Sequence, residues 1–157
     1  MPVKQGDLGL LQHAASKELL ESKIPARLAY VWIDGTPRVI PIWFHWNRRE
    51  LVMATPPKAP KLKALAKNPK VSLTIDDNTF PHKVLLVRGT ARLQTVEGIV
   101  PEYIAAAERY FGREQGEASI RAAPQNDSQH GENHDYAGMG RIVGLPNAFS
   151  ERALGVS

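Results

Sequence analysis

The spacing of apolar residues changes from helical to extended near residue 25. In residues 7–20 leucines and alanines recur at helical intervals and Asp7 precedes them as a favoured N-cap, so a helix is predicted there. Residues 27–33 and 37–45 are instead rich in β-branched and aromatic side chains, which predicts two strands. Asp34-Gly35 between them is typical of a hairpin turn. The first part of the chain is therefore predicted to be a helix followed by a β-hairpin.

The remaining pattern predicts further strands with two helices among them. A third strand over 51–55 would make the first three strands an antiparallel meander. Three prolines then precede a short predicted helix, because the first turn of a helix tolerates proline. The later predicted elements are a helix over 61–66, strands over 71–75 and 83–93, a helix over 101–111 and a last strand over 141–145.

These elements predict a mainly β fold, a six-stranded antiparallel barrel decorated with helices, and not a doubly wound sheet. At 157 residues the chain is predicted to form a single domain, residues 1–157. Residues 112–140 are dominated by polar and small side chains, and this segment is predicted to be a partly mobile insertion.

Composition excludes several kinds of chemistry. The chain has no cysteine, so disulfides, zinc–thiolate sites and thiol catalysis are excluded. It has neither an apolar signal-peptide core nor an uncharged apolar run of about 18 residues, the length that a membrane span requires. A soluble, cytoplasmic protein with no membrane partner is therefore expected.

The net charge is only +4, but the positive residues are unevenly placed. No acidic residue lies between Glu50 and Asp76, whereas five lysines do. Such a segment suits an anionic partner, although a solvated lysine-rich helix would have the same composition. Aromatic residues are not interleaved with these lysines, so no nucleic-acid partner is expected. His130-Gly-Glu-Asn-His134 lies in the polar segment and lacks the metalloprotease order, which is His-Glu-x-x-His on a helix, so no metal site is expected either.

Residues 53–70 are the best candidate for an anion site. A strand ends at Thr55 and a helix follows two prolines later, and the free N–H groups of a helix start favour a phosphate. The Thr55 hydroxyl can add a neutral donor, and Lys58 and Lys61 can add charge. Lys61 lies at the edge of the predicted buried stripe and nearest the helix start, so it is the favoured phosphate ligand. Lys63 lies on the opposite, solvated side.

The preceding strand offers a place for the group attached to such a phosphate. Pro41 has no N–H, so in mid-strand it indicates a sheet edge, a bulge or a position where a ligand replaces a neighbouring strand. A flat heterocycle along that edge could bond to the strand backbone and pack on Trp43. The alternative for Trp43 is a place in the barrel core.

Several segments together resemble the pyridoxamine 5′-phosphate oxidase-like family. These FMN-binding split barrels also include deazaflavin (F420)-dependent reductases. The similarity covers roughly residues 8–111 and rests on the order and spacing of the segments, since none is decisive alone. The segments are Arg38-Val-Ile-Pro-Ile42, Val52-Met-Ala-Thr55, Lys58 with Lys61, Asn68-Pro-Lys-Val-Ser-Leu73 and Val87-Arg-Gly-Thr-Ala-Arg-Leu93.

The resemblance implies a cofactor site at the interface of a homodimer. It implies that Ala54 and Thr55 flank the phosphate or ribityl chain, that Lys61 binds the phosphate, and that the strand near Val84 contacts the partner's flavin. It also implies that one strand lines the flavin ring and ribityl chain, through Arg38, Val39, Ile40, Pro41 and Ile42. Val84 replaces a polar glutamine of the true oxidases, and residues 141–157 lack their Trp and Arg pattern, which argues against the vitamin B6 reaction.

The sequence therefore predicts a flavin-dependent oxidoreductase acting on a small molecule, with FMN favoured over F420. No catalytic constellation is visible, as expected if the cofactor itself carries the hydride. F420 would need a longer basic groove, which Lys58, Arg88 and Arg92 could extend. A non-catalytic flavin-binding protein on the same fold is the alternative of a different class.

Overall fold

A computed structural model describes residues 7–122 and 138–153; in the second range, side chains are described for Arg141 and Ile142. The described part contains seven strands in one antiparallel sheet, not the six strands predicted. The sheet curls into a half-barrel around the core. None of the helices in these ranges is long and apolar enough to cross a bilayer.

The predicted N-terminal helix is present but is divided in two. A 3₁₀ helix spans Leu8–Gln12 and the α-helix α1 spans Ala14–Leu20. Asp7 caps the first as predicted, since its carboxylate accepts from the Gly9 N–H at 2.8 Å. The division occurs at His13, whose backbone is extended and whose ring accepts from the N–H of Ala15.

The predicted hairpin is confirmed. Strand β1 (Ala26–Val31) pairs with β2 (Pro37–Ile42) in a register that sets Val31 opposite Pro37 and Ala26 opposite Ile42. The turn depends on Gly35, whose φ of 86° lies in the left-handed region that favours glycine. The Asp34 carboxylate completes it by accepting from the Thr36 N–H at 2.9 Å and hydroxyl at 2.6 Å.

The predicted meander is wrong beyond this hairpin. The strand expected over 37–45 ends at Ile42, and a two-residue strand β3 (His45–Trp46) pairs with β4 (Leu51–Thr55) instead. Phe44 causes the break: its ring is fully buried and its carbonyl accepts from the Arg109 guanidinium, not from a strand. The break adds the seventh strand and places β4 far from β2 in the sheet.

The sheet has the order β2-β1-β5-β6-β7-β4-β3. Strand β5 spans Lys70–Asp76, β6 spans Lys83–Glu97 and β7 spans Gly138–Ala153. Both β6 and β7 are longer than predicted, because they pair with each other along nearly their whole lengths. Strand β4 then pairs with β7, so that Thr55 lies opposite Gly140.

Three helices follow the strands β4 and β6. Helices α2 (Pro60–Lys67) and α3 (Pro101–Phe111) confirm the predictions, and each has a proline in its first turn. Helix α4 (Arg113–Ala122) occupies the start of the segment expected to be an insertion. The rest of that segment, 123–137, lies outside the described residues, as does the His130–His134 pattern.

The core lies on the inner side of the sheet, under α1 and α2. Leu28, Ile75 and Leu85 come from the strands, while Leu20 and Leu65 come from the helices, and all five are at most 1% exposed. A second buried group lies around α3 and includes Val100, Ala106 and Ala107. Helix α3 contacts β3 and β4 at one end of the sheet, and α2 contacts β1 towards the other end.

Gly116→Ala is expected to lower the free energy of unfolding by about 1–3 kcal/mol, the usual range for overpacking. A Cβ at Gly116 would lie 2.9 Å from the Glu108 backbone nitrogen, so α4 could no longer pack so close to α3. Urea denaturation would measure the loss. Gln115→Ala, at an exposed position of the same helix, is the control and should change stability little; equal effects of the two would contradict this packing argument.

Candidate cofactor site

Lys61 is the most distinctive of the lysines between Glu50 and Asp76. Its side chain is half-buried at the start of α2, on the face that carries the buried Ala64 and Leu65. It makes no hydrogen bond or ion pair within the described residues, and burial lowers its pKa from the usual value. A half-buried ammonium without a counterion is unfavourable alone and suited to an anionic ligand.

The start of α2 adds further features that suit an anion. No side chain caps this end of the helix, although Pro60 supplies no N–H and the Leu62 N–H donates to the Ala59 carbonyl at 2.9 Å. Thr55, at the end of β4, is 3% exposed, and Ala54 beside it is half-buried. An uncapped helix start next to a lysine fits a phosphate, whose charge the helix dipole also favours.

The other basic residues of the predicted groove differ in availability. Lys58 is exposed, and so is Arg88 on β6, and neither has an ion-pair partner among the described residues. Arg92 contacts Glu50 at 3.0 Å, and Lys67 donates to the carbonyl of Ile33 at 2.8 Å. Lys58, which precedes α2, and Arg88, on the outer face of β6, are therefore the exposed cations of the predicted groove without an ion-pair partner.

The predicted residues of β2 divide between the two faces of the sheet. Arg38, Ile40 and Ile42 lie on the inner side, opposite Tyr30, Leu28 and Ala26 of β1. Val39 and Pro41 lie on the outer side, and Val39 is 65% exposed. Among the described strands β2 has β1 as its one neighbour, so Pro41 lies in an edge strand, one of the alternatives that its missing N–H indicated.

Val84 of β6 lies on the same outer face as Val39 and Pro41. The register aligns Val39 with Ala29, Ser72 and Arg88 across four strands, and aligns Pro41 with Arg27, Thr74 and Leu86. Val84 and Leu86 are two residues apart in one strand and so point to the same side. We call this the outer face. On it Val84 and Leu86, which is 38% exposed, are neighbours on β6. Val39 lies three strands away on β2, and the strands between them place Arg27, Ala29, Ser72 and Thr74 on this face.

Trp43 lies outside β2, in the connection that leads to β3. Its ring stacks on Tyr110 of α3 at 5.2 Å between centroids and on Tyr103 at 5.9 Å, and it meets the edge of Phe111. The ring therefore contacts α3 aromatics in a half-buried position. Its packing on a cofactor stays a prediction, as do the cofactor roles of the residues on β2, β4 and α2.

Sequence reasoning missed two arginines that the fold brings to half-buried positions. Arg141 of β7 forms an ion pair with Glu102 of α3, and it lies between Ala54 and Gln94 of the neighbouring strands. Arg109 of α3 donates to the carbonyls of Ser22 and Phe44. Both contacts join residues far apart in the chain, so no local pattern could have indicated them.

The half-barrel, with its edge strand β2 and the helix start after β4, is the fold of the split-barrel flavoproteins. The sequence model of the pyridoxamine 5′-phosphate oxidase family matches residues 12–131. The chain belongs to this family. No protein of curated function matches the sequence significantly.

Solved structures give the same fold. An F420 reductase is 31% identical, with 85% of this chain and 94% of that chain covered and a TM-score of 0.59. A conserved hypothetical protein from Mycobacterium tuberculosis is 18% identical over 99% of this chain and 94% of its own, with a TM-score of 0.66. HutZ, the heme storage protein from Vibrio cholerae, is 20% identical over 85% and 89%, with a TM-score of 0.56. Within one fold, these relatives carry names of different functions.

Proposed function

We propose that this protein is an oxidoreductase that binds a flavin-type cofactor at the start of α2 and transfers hydride to or from a small molecule. Lys61 carries the proposal, since it is a half-buried cation without a counterion beside an uncapped helix start. Family membership supports the cofactor class. When bound, the cofactor would supply the hydride-carrying ring, and the protein's residues would bind and orient it.

F420 is the first cofactor to test, and FMN is the second. The sequence interpretation favours FMN, but the F420 reductase has the higher sequence identity, 31% against 18% and 20% for the other two structures described above. Lys58 and Arg88 are exposed cations that could contact a more extended anionic cofactor. Titration of the purified protein with each cofactor, followed by fluorescence, should give tighter binding of F420. Failure to bind either one would refute the proposal.

A non-catalytic binding protein would bind the same cofactor without turning it over. Steady-state oxidation of the reduced cofactor in the presence of small organic acceptors distinguishes the two functions. The oxidoreductase predicts turnover with at least one acceptor class, whereas tight binding with no turnover across the panel would favour the binding protein.

Cofactor affinity is expected to fall as the pH rises through the lowered pKa of Lys61. Burial lowers the pKa of Lys61, and a bound phosphate favours its charged form, so affinity is full below that pKa and is lost as the pH rises through it. A phosphate keeps its negative charge above about pH 6, so it does not reverse the trend. Binding titrations between about pH 7 and 10 would follow the loss over a range where an arginine stays charged.

Lys61→Arg is the control for this pH dependence. The guanidinium keeps its charge over the whole range, so the affinity of this variant should change little with pH even if it is lower throughout. If cofactor affinity depended on pH in the same way in the wild-type protein and in Lys61→Arg, a group other than Lys61 would be responsible for the dependence.

We propose in addition that two copies associate through the outer face, with the cofactor at their interface. The face leaves Val39 and Leu86 exposed, and α3 lies at the other end of the sheet. Arg27 on this face is paired with Asp76 at 3.1 Å, whereas Arg88 has no ion-pair partner among the described residues. A negatively charged cofactor held between two such faces would therefore meet the Arg88 guanidinium.

Leu86→Glu is expected to convert a dimer to a monomer, because it places a carboxylate beside Val84 on the outer face, where the proposed contact would remove it from water. Light scattering after size-exclusion chromatography measures the mass, and cofactor affinity should fall in parallel if the site is shared between copies. Leu8→Glu, at a position 51% exposed in the 3₁₀ helix, is the matched control and should leave the mass unchanged. A Leu86→Glu variant that remains a dimer would contradict the proposed interface.

A further inference from the structure

A second cleft lies between the N-terminal helices, strand β3 and helix α3. Its volume is about 820 Å³, within the range of small-molecule binding sites. None of the residues of the predicted cofactor site lines it. The cleft is therefore formed by a different part of the molecule from the outer face and the start of α2.

The apolar part of the cleft suits a flat molecule. Leu11 and Leu20 line it with buried side chains, and Trp46 of β3 contributes a half-buried indole. Aromatic rings bind flat apolar groups by stacking and by edge contacts, with a large area removed from water. A ligand body with one or two aromatic rings matches this lining.

Arg109 gives the cleft a fixed positive charge. Its Nε donates to the Ser22 carbonyl at 3.0 Å and its Nη2 to the Phe44 carbonyl, and its guanidinium lies 4.6 Å from the centre of the Phe44 ring. These neutral partners orient the guanidinium but do not neutralise it, and no carboxylate pairs with it within the described residues. Since a guanidinium has five N–H donors, some remain for a carboxylate.

The other polar residues of the lining favour an anion. Lys17 and Arg48 line the exposed part and Glu21 is the one carboxylate there, so the lining carries three cations, with Arg109, against one anion. The pKa of His45 is lowered from its usual value, mainly by burial and also by the charge of Arg109. His45 is therefore a neutral hydrogen-bonding group at physiological pH. The net charge of the lining is positive without a contribution from histidine.

We propose that this cleft binds a small aromatic carboxylate, with the carboxylate on Arg109 and the ring against Trp46. This site is independent of the cofactor site, because the two share no residue. Its ligand would be a substrate-sized molecule carrying one carboxylate on one or two fused rings.

A binding experiment with 1-naphthoate tests the proposal, with neutral 1-naphthamide as the matched ligand control. In ¹H–¹⁵N NMR titrations of the full chain, 1-naphthoate should cause saturable shifts of the Trp46 indole N–H and the Arg109 Nε–H. The amide should bind at least about fivefold more weakly, because it lacks the charge that Arg109 and the cleft's other cations favour. The proposal is overturned if 1-naphthoate causes no saturable shifts, or if the shifts are centred on β2 and α2. Equal affinity for 1-naphthamide and 1-naphthoate would also overturn it.

Two variants, each replacing one lysine by glutamate, test whether 1-naphthoate binds in this cleft. Lys17→Glu reverses an exposed charge at the cleft and should weaken 1-naphthoate binding about threefold or more, since exposed charges contribute modestly. Lys63→Glu makes the same change on the solvated side of α2 and should leave binding unchanged. Equal weakening by both would show a general charge effect and overturn the assignment. These variants avoid Arg109, whose replacement would also remove two contacts that hold the fold together.

Discussion

Lys61→Met is expected to weaken cofactor binding about 10- to 100-fold, the loss that follows from removing one charge-assisted hydrogen bond. Methionine keeps the apolar stem of the side chain, which packs on the same face as Ala64 and Leu65, and removes only the ammonium. Titration with F420 and with FMN measures the loss. Lys63→Met, two residues further along and exposed, is the control and should bind normally.

The same variant is expected to leave the free protein equally stable or more stable. Burial lowers the pKa of Lys61, so at neutral pH the folded protein holds a charge that the unfolded chain accommodates better. Methionine removes that penalty. Thermal unfolding without cofactor should therefore show no loss, while the stabilisation by added cofactor should shrink. Normal cofactor binding by Lys61→Met would show that Lys61 does not bind the cofactor. Easier unfolding of the variant without cofactor would show that Lys61 has a structural role.

Phe44→Ala is expected to lower the free energy of unfolding by about 3–5 kcal/mol, the range for deleting a fully buried aromatic ring. The Phe44 ring is 0% exposed and the Arg109 guanidinium lies over it, so the variant loses both packing and a cation–π contact. Urea denaturation with extrapolation to water would measure the change.

Phe80→Ala is the matched control for this prediction. Phe80 is 69% exposed, and removal of an exposed side chain usually changes stability by less than about 0.5 kcal/mol. A loss of under about 1 kcal/mol for Phe44→Ala would mean that the site closes around the deletion, which the central position of Phe44 among β2, α1 and α3 does not predict.

Local signals in the sequence predicted the hairpin, α2 and α3 well. Asp34 and Gly35 determine the β1–β2 turn by their own hydrogen bonds and backbone angle, so their effect is visible without the rest of the chain. Helical spacing predicted a buried stripe of Leu62, Leu65 and Ala66 with Lys61 at its edge. The structure buries Ala64 and Leu65 and exposes Ala66, but Lys61 is half-buried as that position predicted. What a lysine in that position binds is not determined by this pattern.

Contacts between distant residues account for the elements that were missed. The strand propensity of residues 37–45 is continuous, yet β2 ends early because Phe44 bonds to Arg109, 65 residues away. Strand β7 contains glycines and a proline that argue against a long strand, but pairing with β6 extends it over Gly138–Ala153. The second cleft combines residues of α1, β3 and α3, so no single segment of sequence could have indicated it.

Pro41 has a consequence for how the sheet avoids unwanted growth. An edge strand with an uninterrupted row of free N–H groups recruits strands from other molecules, but proline removes one donor from β2. At the opposite end of the sheet, β3 has only two residues and offers too short a template for a foreign strand. Neither described edge therefore favours fibril-like extension. In the dimer proposed above, copies would meet through side chains on the outer face, where a two-fold contact closes on itself and the assembly ends.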